Sequence, residues 1–321
     1  LLWGMRMVRT GISRALGSSL RHAIGRSVSN RFKAFFMGIG VTSILQSSTA
    51  TGLIVASFAS RGLMETAPAL AVMLGADVGT TLVAQVLSFD ISWLAPMLIF
   101  VGVVTHFMSS KTSHRQLGRT SLGLGIMLLA LGMIIQSSTP MRESAVLQNI
   151  FAALGDETIL AVLLAALLTW MAHSSLAVVL LVMSLAAGGV VPLSLAFVLV
   201  IGANLGGAMP PVMANWDKEP EAKRVPLCNA FFKAIGCLLL LPLIDIIAPY
   251  LEMVDADPAR QIVNFHTLFN ISIAVIFIFL TDAVAKFAND ALPIAPQTED
   301  PGTPRYLDRA YIDEPTVALA S

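Results

Sequence analysis

Charge is scarce in this sequence. Only 12% of its 321 residues are Asp, Glu, Lys or Arg, and the 20 basic residues balance the 20 acidic ones. Aromatic residues contribute 7%, whereas hydrophobic residues contribute 56%. A soluble domain carries about twice this share of charge, so the composition excludes an ordinary soluble protein and predicts a polytopic membrane protein. The balanced charge also provides no bulk field that would attract nucleic acid.

Cysteine is scarce as well. Cys228 and Cys237 lie in the same apolar segment. Two cysteines are too few for a disulfide framework or a cysteine metal site, so we expect two buried thiols. The chain starts LLWGM, without an initiator Met or a cleavable signal pattern, and it stops in polar sequence. We therefore expect it to be part of a longer protein.

Long apolar segments dominate what is present. About 20 residues cross a bilayer as a helix. Eight segments, named A to H, approach or exceed that length: 34–59, 67–88, 91–108, 121–136, 159–187, 190–213, 227–250 and 262–285. They predict an all-α polytopic membrane protein.

The charged loops predict how these segments cross the membrane. Seven basic residues and no acidic residue occupy positions 1–33, and Lys111, Arg115 and Arg119 follow segment C, again without an acid. Both regions should be cytoplasmic, so one of A, B and C must enter and leave on the same side. Segment A is the best candidate because its centre holds polar QSST, which needs a buried or cavity-lining position. Segment E then enters as a hairpin from outside, and both termini are cytoplasmic.

Segments A and E belong to an internal repeat. Positions 42–81 align without gaps on 169–208 and are identical at 13 of 40 positions. Many of the identical residues are Ser, Thr or Gly, which shared apolar composition would not supply. Since the two copies should enter from opposite sides, they predict an inverted repeat, which is typical of secondary transporters. The string IIQSSTP at 134–140 is not the mate of ILQSSTA at 44–50, and we interpret it as a helix end.

Each repeat carries a Ser-Ser element followed by a glycine-spaced element. Glycine lets backbone leave the helix, and an interrupted transmembrane helix offers amide donors to an anion and carbonyls to a cation. Hydroxyls suit a small oxyanion and can also bind Na⁺. No Lys or Arg lies centrally in the repeated segments. A bound anion would therefore need hydroxyls and amides, with co-bound cations rather than a fixed cation to balance its charge.

These residues also have a purely structural interpretation. Ser, Thr and Gly are common contact residues between membrane helices. Asp77 is ionisable at membrane depth, which favours function, but it could cap a helix. His173 is a proton-sensitive group or a neutral substitute for Gln46. His266 could bond a neighbouring helix.

At these positions the sequence resembles the bacterial type II sodium-dependent phosphate cotransporters. The resemblance rests on Gln46 to Thr49 with Gly75 to Thr81, and on Ser174 and Ser175 with Gly202 to Gly206; HTLFN at 266–270 and the basic start also fit. It covers positions 1 to about 288. Residues 306–321 resemble the start of a cytoplasmic PhoU-like helical domain, after a Pro-rich linker. We divide the chain into repeat 1 (1–120), repeat 2 with a final helix (121–288) and linker with tail domain (289–321).

The polar elements and the resemblance together predict the site. The predicted phosphate ligands are Ser47, Ser48, Thr49, Ser174, Ser175, Gly79, Thr80, Asn204 and Gly206. The predicted Na⁺ ligands are Gln46, Thr49, Asp77, Thr81, His173 and Asn204. We expect no catalytic residue, no cofactor and no metal other than Na⁺ as the coupling ion.

The predicted function is Na⁺-coupled symport of inorganic phosphate across the cytoplasmic (inner) membrane by alternating access. The sequence leaves open whether the protein forms a homo-oligomer. Several residues depart from the pattern usual in the family that the sequence resembles. His173 stands where Gln is usual, Leu176 where Ser or Thr is usual, and Asp77 where Asn is commoner. Gly207 and Ala208 stand where two Thr residues are usual. These departures leave open the cation stoichiometry, the electrogenicity and the identity of the coupling ion. The alternatives are a phosphate exporter, a proton-coupled carrier and a membrane phosphate sensor that acts through the C-terminal domain. A serine hydrolase is a distant fourth, because no G-x-S-x-G elbow surrounds the serines.

Overall fold

The computed structural model describes residues 1–25, 30–89 and 91–294, and every regular element in these ranges is helical. Fifteen α-helices follow one another there: α1 Leu2–Gly25, α2 Arg31–Leu45, α3 Ser48–Ser60, α4 Thr66–Leu87, α5 Leu94–Met108, α6 Thr112–Arg142, α7 Ala145–Asp156, α8 Thr158–Ala172, α9 Ser175–Ala187, α10 Leu193–Gly206, α11 Met209–Ala214, α12 Pro220–Leu240, α13 Ile244–Val254, α14 Pro258–Phe277 and α15 Thr281–Ala291. A short 3₁₀ turn, Leu241–Leu243, joins α12 to α13. The all-α fold is confirmed.

Several of these helices are long and apolar enough to cross a bilayer. Four spans meet that criterion: α4, α6, α10 with α11, and α12 with α13. The bent pairs α7–α8 (109°) and α14–α15 (77°) raise the number to six if each pair is one span. Segments A and E, in contrast, are each divided into helices of 15 and 13 residues. Neither half reaches the roughly 20 residues of a full crossing, as expected for re-entrant hairpins.

Both ends of the first hairpin lie on one side of the molecule. Arg31, at the start of α2, forms a salt bridge with Asp282 at the start of α15. Ala59, near the end of α3, lines the same cavity as Asp282. The hairpin therefore returns to the side from which it entered.

The second hairpin ends elsewhere. Gly188 and Gly189, just after α9, approach Ser138 and Arg142 in the last turns of α6. Those turns contain the second QSST string, and Ser138 Oγ donates to the carbonyl oxygen of Ile134. This string is therefore the end of a helix, as predicted, and it packs beside the hairpin rather than forming its tip. The opposite membrane orientation of the two repeats stays a prediction.

Glycine contacts are duplicated between the repeats. A Cβ added to Gly75 would overlap the carbonyl oxygen of Phe35, and one added to Gly202 would overlap that of Val162. The same offset that aligns position 42 on 169 relates both members of these two pairs. Gly79 and Gly206 repeat the relation, against Ile39 and Ala166. The absence of side chains lets α4 approach α2, and α10 approach α8, at backbone distance.

The expectation of two glycine-interrupted helices holds in one repeat only. α4 runs unbroken from Thr66 to Leu87, through Gly75 and Gly79. α10 ends at Gly206, and the chain passes Gly207 and Ala208 before α11 begins. The glycines of α4 allow α2 to pack closely against it, and α4 continues through them without a break.

Helices α12 and α14 connect the two repeats. α12 packs against α3 and α4 of the first repeat and against α10 of the second. α14 packs against α4 on one side and against α9 and α10 on the other. Side chains from α12 and α14 can therefore reach the equivalent faces of both repeats.

The predicted division of the chain stays a prediction. Its first boundary, between residues 120 and 121, falls inside α6, which continues from Thr112 to Arg142. The tail that resembles a PhoU-like domain, with most of its linker, lies outside the described residues.

Candidate functional site

The tips of the two hairpins have the same backbone conformation. Gln46 follows α2 with φ 54° and ψ 33°, and His173 follows α8 with φ 51° and ψ 31°. Within the described ranges these are the two non-glycine residues with positive φ. The next residues, Ser47 and Ser174, are extended, with φ of −158° and −161°. A left-handed residue followed by an extended one ends one helix and lets another begin after it.

The first serine of each pair caps the helix that follows. Ser47 Oγ accepts a hydrogen bond from the Ala50 amide at 3.1 Å. Ser174 Oγ accepts one from the Ala177 amide at 3.3 Å. These are N-caps, which satisfy one of the free amides at a helix start. The hydroxyl oxygens of Ser47 and Ser174 are thus engaged as acceptors, and their O–H groups are still able to donate.

The second serine of each pair is differently placed. Ser48 and Ser175 are the first residues of α3 and α9, and both are 7% exposed. No hydrogen bond from either hydroxyl to another residue in the described ranges is present. Each tip therefore combines a hydroxyl with the positive end of a helix, an arrangement that suits an anion.

Both hairpins contact the break between α10 and α11. A Cβ on Gly207 would lie 2.9 Å from Ser175 Cβ. A Cβ on Gly52, one turn after Ser48, would lie 3.6 Å from Pro211 Cγ in α11. The short stretch from Gly207 to Pro211 therefore lies against Ser175 of one hairpin and Gly52 of the other.

The glycine-element residues of α4 are engaged in packing and in local bonds. Thr80 and Thr81 donate to the carbonyls of Ala76 and Val78 within their own helix. The carbonyl oxygen of Gly79 accepts from Ser43 Oγ at 3.2 Å. Gly79 and its counterpart Gly206 face neighbouring backbone, as described above, so close packing accounts for both. Thr49, in the first turn of α3, is half-buried.

Asp77 and Asn204 occupy equivalent positions and both have a buried partner. Asp77 Oδ1 lies 2.9 Å from Lys233 Nζ of α12. Asn204 Oδ1 accepts from Asn270 Nδ2 of α14 at 3.0 Å. Asp77 lies in the middle of α4, so the interpretation as a helix cap is wrong. The two buried pairs therefore join one helix of each repeat, α4 and α10, to α12 and α14, which pack against both of them.

Lys233 is the residue that sequence reasoning missed. The repeated segments contain no central Lys or Arg, and from this we expected a site without a fixed cation. The structure places one beside Asp77, a predicted Na⁺ ligand, and it comes from α12, outside the aligned segments 42–81 and 169–208. The available signal was a single lysine within the apolar segment 227–250. Intramembrane lysines are rare and usually functional.

Other polar atoms near these helices are buried without a partner. Among the described residues they include Gln46 Oε1, Thr169 Oγ1, Asn229 Oδ1 and His266 Nδ1. His173, the counterpart of Gln46, is exposed. The expected bond from His266 to a neighbouring helix is not formed through Nδ1. The cysteines in this part of the chain, Cys228 and Cys237, are free and buried, as predicted.

Comparison with known proteins decides the family. The sequence profile described as "Na+/Pi-cotransporter" matches residues 1–137 and again 136–241. The chain belongs to this family. The two matches divide the chain near residue 136, which is consistent with a repeated unit. The resemblance noted in the sequence is confirmed.

Relatives extend the comparison. Over all 321 residues the chain is 39% identical to the "Putative inorganic phosphate export protein YjbB" of Escherichia coli K12 and to its namesake in Salmonella typhimurium. It spans 59% of the length of these two proteins. It is also 27% identical over 292 residues to "Uncharacterized protein YqeW" of Bacillus subtilis, covering 91% of the chain and 95% of that protein. No solved structure matches the chain. Family and helices together indicate a multi-pass membrane protein.

Proposed function

We propose that this chain is the transport domain of a secondary transporter that moves inorganic phosphate across the cytoplasmic membrane by alternating access. The observation that carries the proposal is the pair of matched hairpin tips, each with a capped helix start and an uncommitted, buried serine hydroxyl. The family and the relatives' printed name support phosphate as the substrate.

Phosphate would be bound by both tips. Ser48 and Ser175 would donate from their hydroxyls, and the free amides of the first turns of α3 and α9 would add backbone donors. A tetrahedral oxyanion has acceptors on all sides, so it suits donors that converge from two helix starts. Since each repeat supplies one tip, a shift of one repeat against the other would open the site to alternate sides of the membrane.

The proposed orientation has both termini in the cytoplasm and the protein in the inner membrane. The basic residues before α2 support it, because positive loops remain inside. The Arg31–Asp282 salt bridge is consistent with it, since it joins the start of α2 to the start of α15, after the last long helix. The acidic loops near Glu143 and Asp255 would then face outside.

Coupling to Na⁺ is one of two proposed modes. The predicted Na⁺ ligands Asp77 and Asn204 are buried oxygen donors at equivalent positions of the two repeats, which supports a cation site there. The second mode is export, which the relatives' name favours. A potential of about 100 mV, negative inside, drives each net negative charge outward by about 2.3 kcal/mol. The potential would therefore contribute more free energy to export if each phosphate moved with fewer cations than it does in an importer.

Flux measurements test the proposal. The purified protein would be reconstituted into proteoliposomes, with labelled phosphate and with Na⁺, pH and voltage gradients imposed separately. We expect saturable phosphate flux in the wild type and its loss in Ser48→Ala/Ser175→Ala, with Gly40→Ala as a variant away from the tips. Phosphate binding without flux would support the sensor alternative. Equal flux in the serine variant would refute the proposed site.

A further inference from the structure

Lys233 and Asp77 form an ion pair at the middle of the molecule. Their side chains are 3% and 7% exposed, and Lys233 Nζ lies 2.9 Å from Asp77 Oδ1. Lys233 lies beyond the midpoint of α12, and Asp77 lies at the midpoint of α4. At a rise of about 1.5 Å per residue, both are about 15–20 Å from the start of their helices, near the centre of a bilayer.

Packing alone does not require these charges. The equivalent position in the second repeat, Asn204, makes its buried contact with Asn270 through neutral amides at 3.0 Å. The fold therefore accommodates a neutral pair at the equivalent position of the second repeat, with a partner from α14 rather than α12. Removing two charges from water is costly, and a well-packed neutral substitute is often as stable as a buried ion pair. Because one repeat has a neutral pair and the other has a charged pair, we look for a functional reason for the charged pair.

The surroundings of the pair suit a cation that remains in place. Asp77 is the one acidic partner of Lys233 within 4.0 Å among the described residues. An ammonium has three donors and this contact uses one. The carboxylate has a second oxygen, so both members of the pair retain capacity toward a ligand.

We propose that Lys233 is a tethered counter-cation, which takes the place beside Asp77 that a coupling Na⁺ would otherwise occupy. This inference rests on the proposed transport of phosphate. The ammonium is covalently fixed to α12, so it balances charge at the site without crossing the membrane. Phosphate would consequently move with one Na⁺ fewer, and its flux would depend less on the Na⁺ gradient. That arrangement fits outward movement driven by a negative interior.

A substitution that empties the place of the ammonium tests this inference. Lys233→Met keeps an unbranched apolar chain and leaves Asp77 as an uncompensated carboxylate. We expect Na⁺ to fill the vacancy, so Na⁺ would stabilise Lys233→Met against thermal unfolding far more than choline at equal ionic strength. Phosphate flux in this variant would rise about tenfold with Na⁺, against less than about twofold in the wild type. Asp77→Asn/Lys233→Met is the matched control and should show neither response.

The outcomes separate the inference from the proposed function. A gain of Na⁺ stabilisation without any phosphate flux would support the cation site and contradict transport. Phosphate flux with the same Na⁺ response in wild type and Lys233→Met would support transport and overturn the inference. If Lys233→Met yields folded protein only when purified in Na⁺, the inference is supported. If it fails in Na⁺ and choline alike while the double variant folds, the inference is overturned.

Discussion

Gln46 and His173 have nearly identical left-handed backbones, with φ of 54° and 51°, at equivalent positions of the two repeats. Different side chains thus occupy the same turn. The Gln46 amide donates to the Thr42 carbonyl at 2.7 Å. The His173 amide donates to Trp170 and the Ser174 amide to Thr169, at 3.1 and 3.4 Å. Because backbone bonds close both turns, neither side chain is required for the reversal.

Glycine and valine substitutions at these tips should have opposite effects. Glycine adopts positive φ without strain, so Gln46→Gly and His173→Gly should leave stability unchanged or raise it. Valine is β-branched, and His173→Val should destabilise by about 1–2 kcal/mol. Thermal unfolding of the purified variants measures this. If His173→Gly proves as unstable as His173→Val, the imidazole rather than the backbone supports the tip.

The two serines of each tip should be separable by experiment. Ser47→Ala and Ser174→Ala remove an N-cap and should cost about 1 kcal/mol of stability. Ser48→Ala and Ser175→Ala remove no internal hydrogen bond, so stability should remain near the wild-type value. If their hydroxyls bind phosphate, each loss should weaken binding by about tenfold or more, as for a hydrogen bond to a charged group.

Calorimetric titration with inorganic phosphate, together with unfolding midpoints, measures both effects for the serines. Ser47→Gly is a useful control, because glycine is accepted at an N-cap at a cost of only a few tenths of a kcal/mol. Unchanged phosphate affinity in both Ser48→Ala and Ser175→Ala would contradict the assignment of ligands.

Glycine substitutions should distinguish close packing from helix flexibility. Gly75→Ala and Gly202→Ala each place a Cβ against a neighbouring carbonyl, and should destabilise by about 1–3 kcal/mol. Gly40, on α2, has no atom within 4 Å of an added Cβ. Gly40→Ala should be neutral or stabilising, since alanine is the better helix former. Comparable losses at Gly40 and Gly75 would mean that flexibility, not proximity, is what these glycines provide.

A missing hydroxyl in the second repeat should be restorable. Thr42 Oγ1 and Thr51 Oγ1 lie 2.7 Å apart in the first repeat. Their counterparts are Thr169, whose buried Oγ1 has no partner among the described residues, and Val178. Val178→Thr should supply the partner and stabilise the protein by about 1 kcal/mol. The gain should vanish in a Thr169→Val background, and a gain of equal size there would show that the two side chains do not interact.

Local features were predictable where the signal is local. The Ser-Ser pairs marked both hairpin breaks, because a serine N-cap and the preceding left-handed residue are set by a few neighbouring bonds. The alignment of the two repeats predicted which positions are equivalent, and the duplicated contacts of Gly75 and Gly202 follow it. Glycine was ambiguous, since the same residue permits a break and a close approach. Only the position of α2 beside α4 decides that Gly75 serves the approach.

The sequence by itself determined the membrane class, the repeat register, the two polar tips and the family resemblance, because composition, duplication and capping are encoded in neighbouring residues or in whole segments. Tertiary structure decided which residues meet at the centre. Lys233 lies far from Asp77 along the chain and outside the aligned segments 42–81 and 169–208, and no periodicity links the two residues. Their contact exists because α12 packs against α4, and burial makes an unpaired carboxylate costly there.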